Sequence, residues 1–440
     1  MSKLRRAAER IKAALIVVLT VSALFLGWQT GLVNDLLGSV PVFGSIAGLV
    51  QSTPPPTGSG GMVAKEAARP LTIVITGEGG VHFGARYDTD LRNTVYDRTS
   101  SILGEALGSM AVPSEISEEQ WRAALSGPGV YFEYIMPVRL SVLDGWLGAR
   151  MPDFTRDAPL RRICVSFGED RNRLFYQAYD TGLFYAADTV SAGGRAQELG
   201  IYGSNGAAFT FETGIYDAGS APYMLLMPGR VHPVVRAFGN GTVEEYTDAI
   251  LSVLGMGQTG YTSYYDDDGS LVSFGPQFNL RVDTRGHAAY RRVDDAQVPG
   301  EIRVLTEGEM IERARVIAAD TAALSGGDAE VCFESVEYGA EERVSVIFAY
   351  YLAGGRVHLY EDGYAAKIIF TSGLVTEMEL NFAGFEVTDE YAQLLPERQT
   401  LAAAGGEFML RYYFDTGFER LEPTWCRSDK NILETTRNTD

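Results

Sequence analysis

Histidine is the side chain most often used for acid–base chemistry and zinc binding near neutral pH, and this chain has four. They are His82, His232, His287 and His358, and each stands alone in a stretch that reads as a strand. Zinc sites need paired histidines, as in H-x₃₋₅-H or H-E-x-x-H, and neither spacing occurs. We therefore interpret the histidines as strand residues and predict no metal site.

Other motifs that carry chemistry fail at specific positions. The glycine-rich stretch at 77–80 lacks the G-K-[ST] of a phosphate-binding loop, and no G-x-S-x-G occurs. Three aspartates at 266–268 precede Gly269, but a calcium-binding EF-hand loop requires a glutamate where Gly275 stands, so the run is typical of a hairpin turn. None of the 57 acidic residues stands out as half of a catalytic pair. The sequence thus predicts a protein that is not an enzyme, with no catalytic residue and no cofactor.

Three cysteines, Cys164, Cys332 and Cys426, lie far apart and form no C-x-x-C pair. An exported domain can oxidise two thiols, and an odd number leaves one over. We interpret the cysteines as buried thiols or strand residues. The sequence leaves open whether any two of them pair.

The longest apolar stretch of the chain is at residues 13–33, AALIVVLTVSALFLGWQTGLV, and it carries no charged side chain. At about 1.5 Å per residue this stretch is about 31 Å long, which matches the hydrocarbon core of a bilayer. Five bases and one acid precede it, so the positive-inside rule predicts a cytoplasmic N-terminus and an extracytoplasmic remainder. A cleaved signal peptide has a shorter apolar core, of about 7–15 residues, so we favour a retained, single-pass transmembrane helix.

One face of this predicted helix carries small residues four positions apart, at Ala23, Gly27 and Gly31. Small residues at this spacing let two helix backbones approach closely in lipid. We therefore name these three as candidate residues for a helix–helix contact in the membrane.

The rest of the chain is acidic, and the whole sequence has a net charge of −20. Such a surface repels nucleic acid and anionic lipid. The stretch QSTPPPTGSGG, at 51–61, has the composition of a linker, because prolines extend a chain and glycines loosen it. The predicted division is a cytoplasmic tail, a transmembrane helix, a tether, three extracytoplasmic domains and a C-terminal tail, at 1–12, 13–33, 34–69, 70–159, 160–299, 300–427 and 428–440.

The extracytoplasmic part is predicted to combine a few helices with many strands. Periodicity and capping residues predict helices at 90–107, 118–125, 243–254, 306–324 and 389–395. A strand at 129–142 contains Pro137, which indicates an edge or a bulge. Short turns between strands imply antiparallel pairing, so the predicted class is α+β, with several domains in which helices pack on one face of antiparallel sheets.

Several stretches resemble the YycH family of Gram-positive bacteria. They are LTVSALFLGWQ directly after the basic N-terminus, VYFEYIMPVRLSVL after the helix that contains Trp121, and EPTWC at 422–426 in the last block. This last block also resembles the C-terminal domain that YycH shares with YycI, and the PepSY-like modules of exported proteins. The order of these features matches along nearly the whole chain, whereas the spacer at 34–61 is longer and richer in proline and glycine than the family pattern.

The resemblance implies regulation. Members of the family are single-span membrane proteins that act with YycI on the sensor histidine kinase WalK (YycG) of a cell-wall two-component system, through transmembrane helices and extracytoplasmic domains. It therefore implies a WalK-like kinase and a YycI-like membrane protein as partners. An alternative function is a membrane-tethered module that binds cell-wall polymer or peptide through tyrosine-rich sheets, since the chain has 23 tyrosines.

Overall fold

The fold is known from a computed structural model. It describes residues 64–427 except 154–156, 169–170, 191–197, 215–220, 230, 240, 257–259, 294–304, 341, 360–362 and 415–418. The predicted transmembrane helix at 13–33 and most of the tether lie outside these residues. None of the helices within them is both long and apolar enough to cross a membrane. The described residues all belong to one compact unit, Thr57–Asp440.

The described residues form eight α-helices and a short 3₁₀ turn at Thr210–Glu212. The helices are α1 (Ala64–Ala67), α2 (Thr89–Ser109), α3 (Glu118–Ser126), α4 (Leu140–Leu147), α5 (Val243–Val253), α6 (Glu307–Ala319), α7 (Ala322–Ser325) and α8 (Glu397–Ala404).

Strands make up most of the remaining regular structure. They are β1 (Thr72–Thr76), β2 (His82–Ala85), β3 (Ser114–Ile116), β4 (Gly129–Arg139), β5 (Pro159–Ser166), β6 (Asn172–Ala178), β7 (Phe184–Thr189), β8 (Ala208–Phe209), β9 (Leu225–Leu226), β10 (His232–Phe238), β11 (Thr262–Tyr265), β12 (Leu271–Phe274), β13 (Phe278–Val282), β14 (His287–Arg292), β15 (Glu330–Tyr338), β16 (Arg343–Leu352), β17 (Gly355–Leu359), β18 (Ala366–Thr371), β19 (Leu374–Asn381), β20 (Gly384–Ala392), β21 (Phe408–Phe414), β22 (Arg420–Leu421) and β23 (Pro423–Arg427).

Two large sheets organise these strands. The first has seven strands in the order β2-β1-β4-β5-β6-β7-β3, all antiparallel, and α2 packs against it. The second has eleven strands, in the order β11-β12-β13-β14-β19-β18-β16-β17-β21-β23 with β15 also paired to β16, and only β17 and β21 run parallel within it. Two smaller sheets have the orders β20-β10-β22 and β8-β9. The predicted α+β class with antiparallel sheets is confirmed.

Each large sheet draws strands from both sides of a predicted domain boundary. In the first, β4 pairs with β5, which spans the boundary at 160. In the second, β14 pairs with β19 across the boundary at 300. The division into domains itself stays a prediction.

Capping boxes start three of the helices. Ser117 and Gln120 exchange hydrogen bonds at the start of α3, and Thr306 and Glu309 do so at the start of α6, as the sequence predicts. A third box, with Thr242 as its first residue, starts α5. Each box satisfies backbone N–H groups that a helix start leaves unpaired, so these starts are defined by local sequence.

Three local predictions need correction or refinement. The strand predicted at 129–142 ends at Arg139 and is followed by α4, in which Leu140, Leu143 and Trp146 are buried at helical spacing. The helix predicted at 389–395 is wrong. The first four of these residues belong to β20, which ends at Ala392 and pairs with β10, and the next helix, α8, begins after Pro396. The predicted helix at 306–324 breaks at Asp320, where α6 ends and α7 follows.

The predicted effect of Pro137 is confirmed as a bulge. The register of β4 on β5 shifts between Glu133 and Val138, on either side of the proline. Proline has no N–H to donate to the neighbouring strand, which explains why the ladder is interrupted there.

Candidate functional site

The predicted helix–helix contact residues, Ala23, Gly27 and Gly31, lie outside the described residues. Their role therefore stays a prediction. Within the described residues, no group of three or more histidine, cysteine, aspartate or glutamate side chains is placed to hold a metal ion.

The other chemically distinctive residues take structural positions. Each of the four histidines lies in a strand, as predicted: His82 in β2, His232 in β10, His287 in β14 and His358 in β17. The aspartates at 266–268 form the turn between β11 and β12, as predicted.

Arg281 neutralises that acidic turn. Its guanidinium donates to Asp266 at 2.7 Å and to Asp268 at 2.6 Å. The two carboxylates are therefore occupied by a cation of the protein itself, which argues against an additional metal ion at this turn.

The three cysteines lie in strands, as predicted, and all three are free thiols, which answers the pairing question that the sequence left open. Burial raises the pKa of Cys164 and of Cys332 to about 12. Because the thiolate is the reactive form of cysteine, both side chains are unreactive near neutral pH.

His82 is the centre of a buried hydroxyl–imidazole–carboxylate cluster. Its Nδ1 lies 2.9 Å from the hydroxyl of Thr76, and its Nε2 lies 2.8 Å from a carboxylate oxygen of Glu212. Ser126 donates to the same carboxylate at 2.8 Å, and the Thr76 hydroxyl donates to the carbonyl of Leu125 at 3.2 Å. The sequence gave no sign of this cluster, because Glu212 lies 130 residues from His82.

This arrangement resembles a catalytic triad in its residue types but lacks access for a substrate. The Thr76 side chain is only 5% exposed and His82 only 4%. Burial by itself raises the pKa of Glu212, but hydrogen bonds from His82 and Ser126 outweigh it and hold that pKa below its usual value. The hydrogen bonds of the cluster therefore hold the 3₁₀ turn at Thr210–Glu212 against the hairpin of β1 and β2.

A set of ion pairs, most of them partly buried, joins the parts of the chain around the two large sheets, and we call it the seam. The arginines come from the part of the chain around the first sheet, and most of the carboxylates come from the part around the second. The seam consists of Arg69, Arg92, Arg139, Arg161, Arg162 and Glu133 on the first side, and Glu307, Glu330 and Glu407 on the second.

Glu330, the first residue of β15, receives two arginines. Arg69 donates to it at 2.6 Å, and the buried guanidinium of Arg92 donates to its other oxygen. Burial raises the pKa of Glu330, but the charges of Arg92 and Arg69 outweigh this and lower it below the usual value. Helix α2 and the residues before β1 are thereby tied to β15.

Glu407, which directly precedes β21, binds a second pair of arginines. Arg161 donates to it at 2.7 Å, and Arg162 donates to its other oxygen. Both arginines also lie within 3.3 Å of Glu133 on β4. The charges of Arg161 and Arg162 outweigh the effect of burial and lower the pKa of Glu407 to about 2.

The third contact of the seam joins α4 to α6. Arg139 donates to Glu307 at 2.6 Å, one residue before α4 begins. On the next turns of the two helices, the indole N–H of Trp146 donates to Glu312 at 3.0 Å, and Arg315 binds the same carboxylate at 2.6 Å.

A buried glutamate, Glu397, adds a hydrogen-bonded contact beside the seam. It accepts hydrogen bonds from the hydroxyl of Tyr87 and from the backbone N–H of Met227, and burial raises its pKa. The ring of His232 packs edge-on against Tyr87 at 4.7 Å and against Trp425 at 5.2 Å between centroids. The residues after β2 are thereby fixed to α8, β10 and β23.

The backbone also approaches closely across this region. Gly354, in the turn between β16 and β17, has φ of +73°, and a Cβ there would lie 2.8 Å from the carbonyl oxygen of Arg86. A side chain at this position would push the turn away from the first sheet. Ionic and close-packed contacts among the described residues thus join the two sheets. These contacts fix the position of one sheet relative to the other.

In comparisons with known proteins, no protein-family profile and no curated protein sequence match the chain. A comparison of structures does find a similar solved protein. That structure is YycH from Bacillus subtilis, which matches 83% of this chain and 94% of its own length with a TM-score of 0.54 and 13% sequence identity. The chain therefore has a distant YycH-like fold, and the resemblance found in the sequence is confirmed at the level of the fold.

Proposed function

We propose that this protein is a membrane-anchored, extracytoplasmic regulator of a WalK-like sensor histidine kinase, acting together with a YycI-like membrane protein. The observation that carries the proposal is the YycH-like fold, which extends over nearly the whole of the matched structure. The predicted single-pass anchor at 13–33 supports it independently, because a regulator of a membrane kinase must reach that membrane.

The proposed mechanism is a shift between two states of the kinase. A partner that packs better against one state changes the ratio of states tenfold for every 1.4 kcal/mol of preference. We expect the anchor to supply this preference through Ala23, Gly27 and Gly31, and the extracytoplasmic part to supply the rest. The seam supports this scheme, since ion pairs between the two sheets allow a displacement of one sheet to act on the other.

The same scheme assigns no catalytic step to the chain. The one hydroxyl–imidazole–carboxylate cluster found among the described residues is buried, and two of the three cysteines have raised thiol pKa values near 12. These features support a regulatory and non-enzymatic role.

The test is co-purification of the full-length chain with its WalK-like kinase from membranes. Replacing Gly27 and Gly31 by isoleucine adds bulk to the proposed contact face and is expected to reduce recovery of the kinase at least fivefold. Phe25→Ile is the matched control, because position 25 lies on the opposite side of a helix. Undiminished recovery with both glycines replaced would overturn the proposed contact, and failure of the unaltered chain to recover the kinase would overturn the proposed function.

Exposed aromatic side chains favour a second candidate, the tethered module for cell-wall polymer or peptide. Tyr264, Tyr265 and Phe274 are 45–58% exposed at the edge of the second sheet, on β11 and β12. Saturable binding of the protein to purified cell wall, lost on replacing Tyr264 and Phe274 by serine, is the expected result for this candidate. Binding that is unchanged by these substitutions would eliminate it.

A further inference from the structure

One face of the second large sheet is open to solvent over strands β11 to β14. Along β13, Phe278, Leu280 and Val282 are buried and the residues between them are exposed. This two-residue period places one face of the sheet against the core and α5 and turns the other face outward. We call the outward face the platform, and its exposed residues include Tyr264, Phe274, Asn279, Arg281 and Arg291.

The register of the four strands arranges these residues in rows that cross the sheet. In one row, Phe274 lies opposite Asn279, and Asn279 lies opposite Arg291 on the next strand. The adjacent row begins at Tyr264 and includes Arg281. Neighbouring strands are about 4.8 Å apart, so a row from β11 to β14 is about 14 Å long. A ligand that contacts a whole row therefore crosses the strands instead of running along one of them.

Two exposed aromatic rings stand at one end of the platform. Tyr264 is 50% exposed and Phe274 is 45% exposed, and their ring centroids are 6.2 Å apart. Neighbouring exposed rings form an apolar patch of the kind that binding sites use. A flat ring offers a large apolar surface at a low cost in conformational entropy, so it suits a ligand with an apolar face, such as the C–H face of a sugar ring.

The charges on the platform are balanced. Arg281 binds two carboxylates of the turn between β11 and β12. Arg291 lies opposite Glu377 of β19, and the carboxylate of Glu377 accepts from Arg343 at 2.9 Å. The whole chain has a net charge of −20, which repels an anionic polymer. Donors and acceptors without an excess of charge suit a ligand that is polar and uncharged.

A glycan fits this arrangement better than a peptide does. An extended peptide adds to the edge of a sheet through backbone hydrogen bonds, and the edge strand β11 has only four residues. Such a peptide would leave Phe274, Asn279 and Arg291 unused, because they lie on β12, β13 and β14. A β-linked glycan is extended, has apolar ring faces and polar hydroxyl groups, and lengthens with each sugar by a distance close to the strand spacing.

We propose that the platform binds an uncharged, β-linked glycan that crosses strands β11 to β14. Sugar rings stack on Tyr264 and Phe274, and the side chains of Asn279 and Arg291 hydrogen-bond to the hydroxyl groups of the sugars that follow. This inference rests on the second candidate function, the binding of cell-wall polymer, and names the chemical class of that polymer. It does not depend on the regulation of a kinase.

Calorimetric titration of the full-length protein with chitohexaose, an uncharged β-linked glycan, tests the proposal. Saturable binding is expected. A hyaluronan hexasaccharide, which is also β-linked but carries carboxylates, should bind at least tenfold more weakly because the acidic protein repels it. Absence of saturable heat at millimolar chitohexaose, or equal binding of the two glycans, would overturn the proposal.

The same titration separates this inference from the function on which it rests. If purified cell wall binds through Tyr264 and Phe274 but chitohexaose does not bind, the second candidate function stands and the glycan inference is wrong. If neither binds, both are wrong.

Substitutions on the platform separate stacking from folding. Phe274→Leu keeps an apolar side chain but removes the flat ring, so it should weaken chitohexaose binding at least tenfold with an unchanged melting temperature. Asn279→Ala should weaken it several-fold. Tyr391→Leu is the matched control and should bind as the unaltered protein does, because Tyr391 is 60% exposed on β20, outside the platform. Normal binding by Phe274→Leu would show that the glycan does not lie on the platform.

Sedimentation tests a second copy of the chain as the occupant of the platform. The unaltered protein and Phe274→Leu, both without glycan, are expected to have the same mass in solution. A dimer that Phe274→Leu converts to a monomer would show that the platform is an interface between copies, and it would overturn the proposal.

Discussion

Helix α2 contributes to two regions that are built in opposite ways. Near its start, Arg92 is buried and paired with Glu330 across the seam. Toward its end, Gly104 lies at an open groove, and a Cβ there would lie no closer than 3.8 Å to its neighbours. In the seam, the buried charge of Arg92 has a partner of opposite charge, which offsets the cost of burying it. At the groove, a glycine in the interior of α2 lowers the stability of the helix relative to alanine. We infer that the first region holds the molecule together, whereas packing does not require the glycine in the second.

The largest expected effect is the loss of a carboxylate from the seam. Glu407→Ala leaves Arg161 and Arg162 partly buried with only Glu133 to balance them, and we expect a loss of about 3 kcal/mol in the free energy of unfolding. Urea denaturation of the full-length protein measures it. Glu390→Ala is the control, since Glu390 and its partner Arg420 are both more than half exposed and should contribute less than about 1 kcal/mol. Equal small effects of both substitutions would show that the seam does not stabilise the fold.

A pH titration sharpens the same comparison. Glu330 and Glu407 have pKa values lowered in the folded protein, so they contribute stability above the unfolded pKa, near 4.5. They lose this stability as the pH falls through the lowered pKa, which for Glu407 is about 2. The free energy of unfolding should therefore fall below about pH 5. Glu407→Gln should flatten this decrease, and a profile as steep as that of the unaltered protein would contradict the pKa lowering.

The smallest expected effect belongs to the groove. Gly104→Ala should raise the free energy of unfolding by up to about 1 kcal/mol, because alanine favours the helix and its Cβ meets no close neighbour. Gly108→Ala should lower it instead, owing to the collision with Ala149. Thermal and urea denaturation both measure the sign. A loss of stability on Gly104→Ala would show that the fold itself requires the glycine.

Local sequence signals predicted much of the fold. The capping boxes at Ser117 and Thr306 define helix starts through residues only three positions apart, so they can be read directly. Periodicity failed where apolar residues fit either structure, as in α4 after Arg139. It also failed at β20, where pairing with β10, more than 140 residues earlier, decides the conformation.

The seam could not be predicted in the same way. Arg92 lies 238 residues from Glu330, and Arg161 lies 246 residues from Glu407, so only the tertiary fold brings them together. One signal was present: Arg161 and Arg162 stand side by side in the otherwise apolar strand β5, where an unpaired charge is unfavourable. Such a pair indicates that carboxylates lie nearby, but it does not identify them.

The most direct test of the proposed regulation is the autophosphorylation rate of the WalK-like kinase in lipid vesicles, measured with and without the full-length chain. We expect the chain to change the rate at least threefold, in either direction, and Gly27→Ile with Gly31→Ile to reduce this change while Phe25→Ile preserves it. A rate that does not change when the chain is added in saturating amount would contradict the proposal.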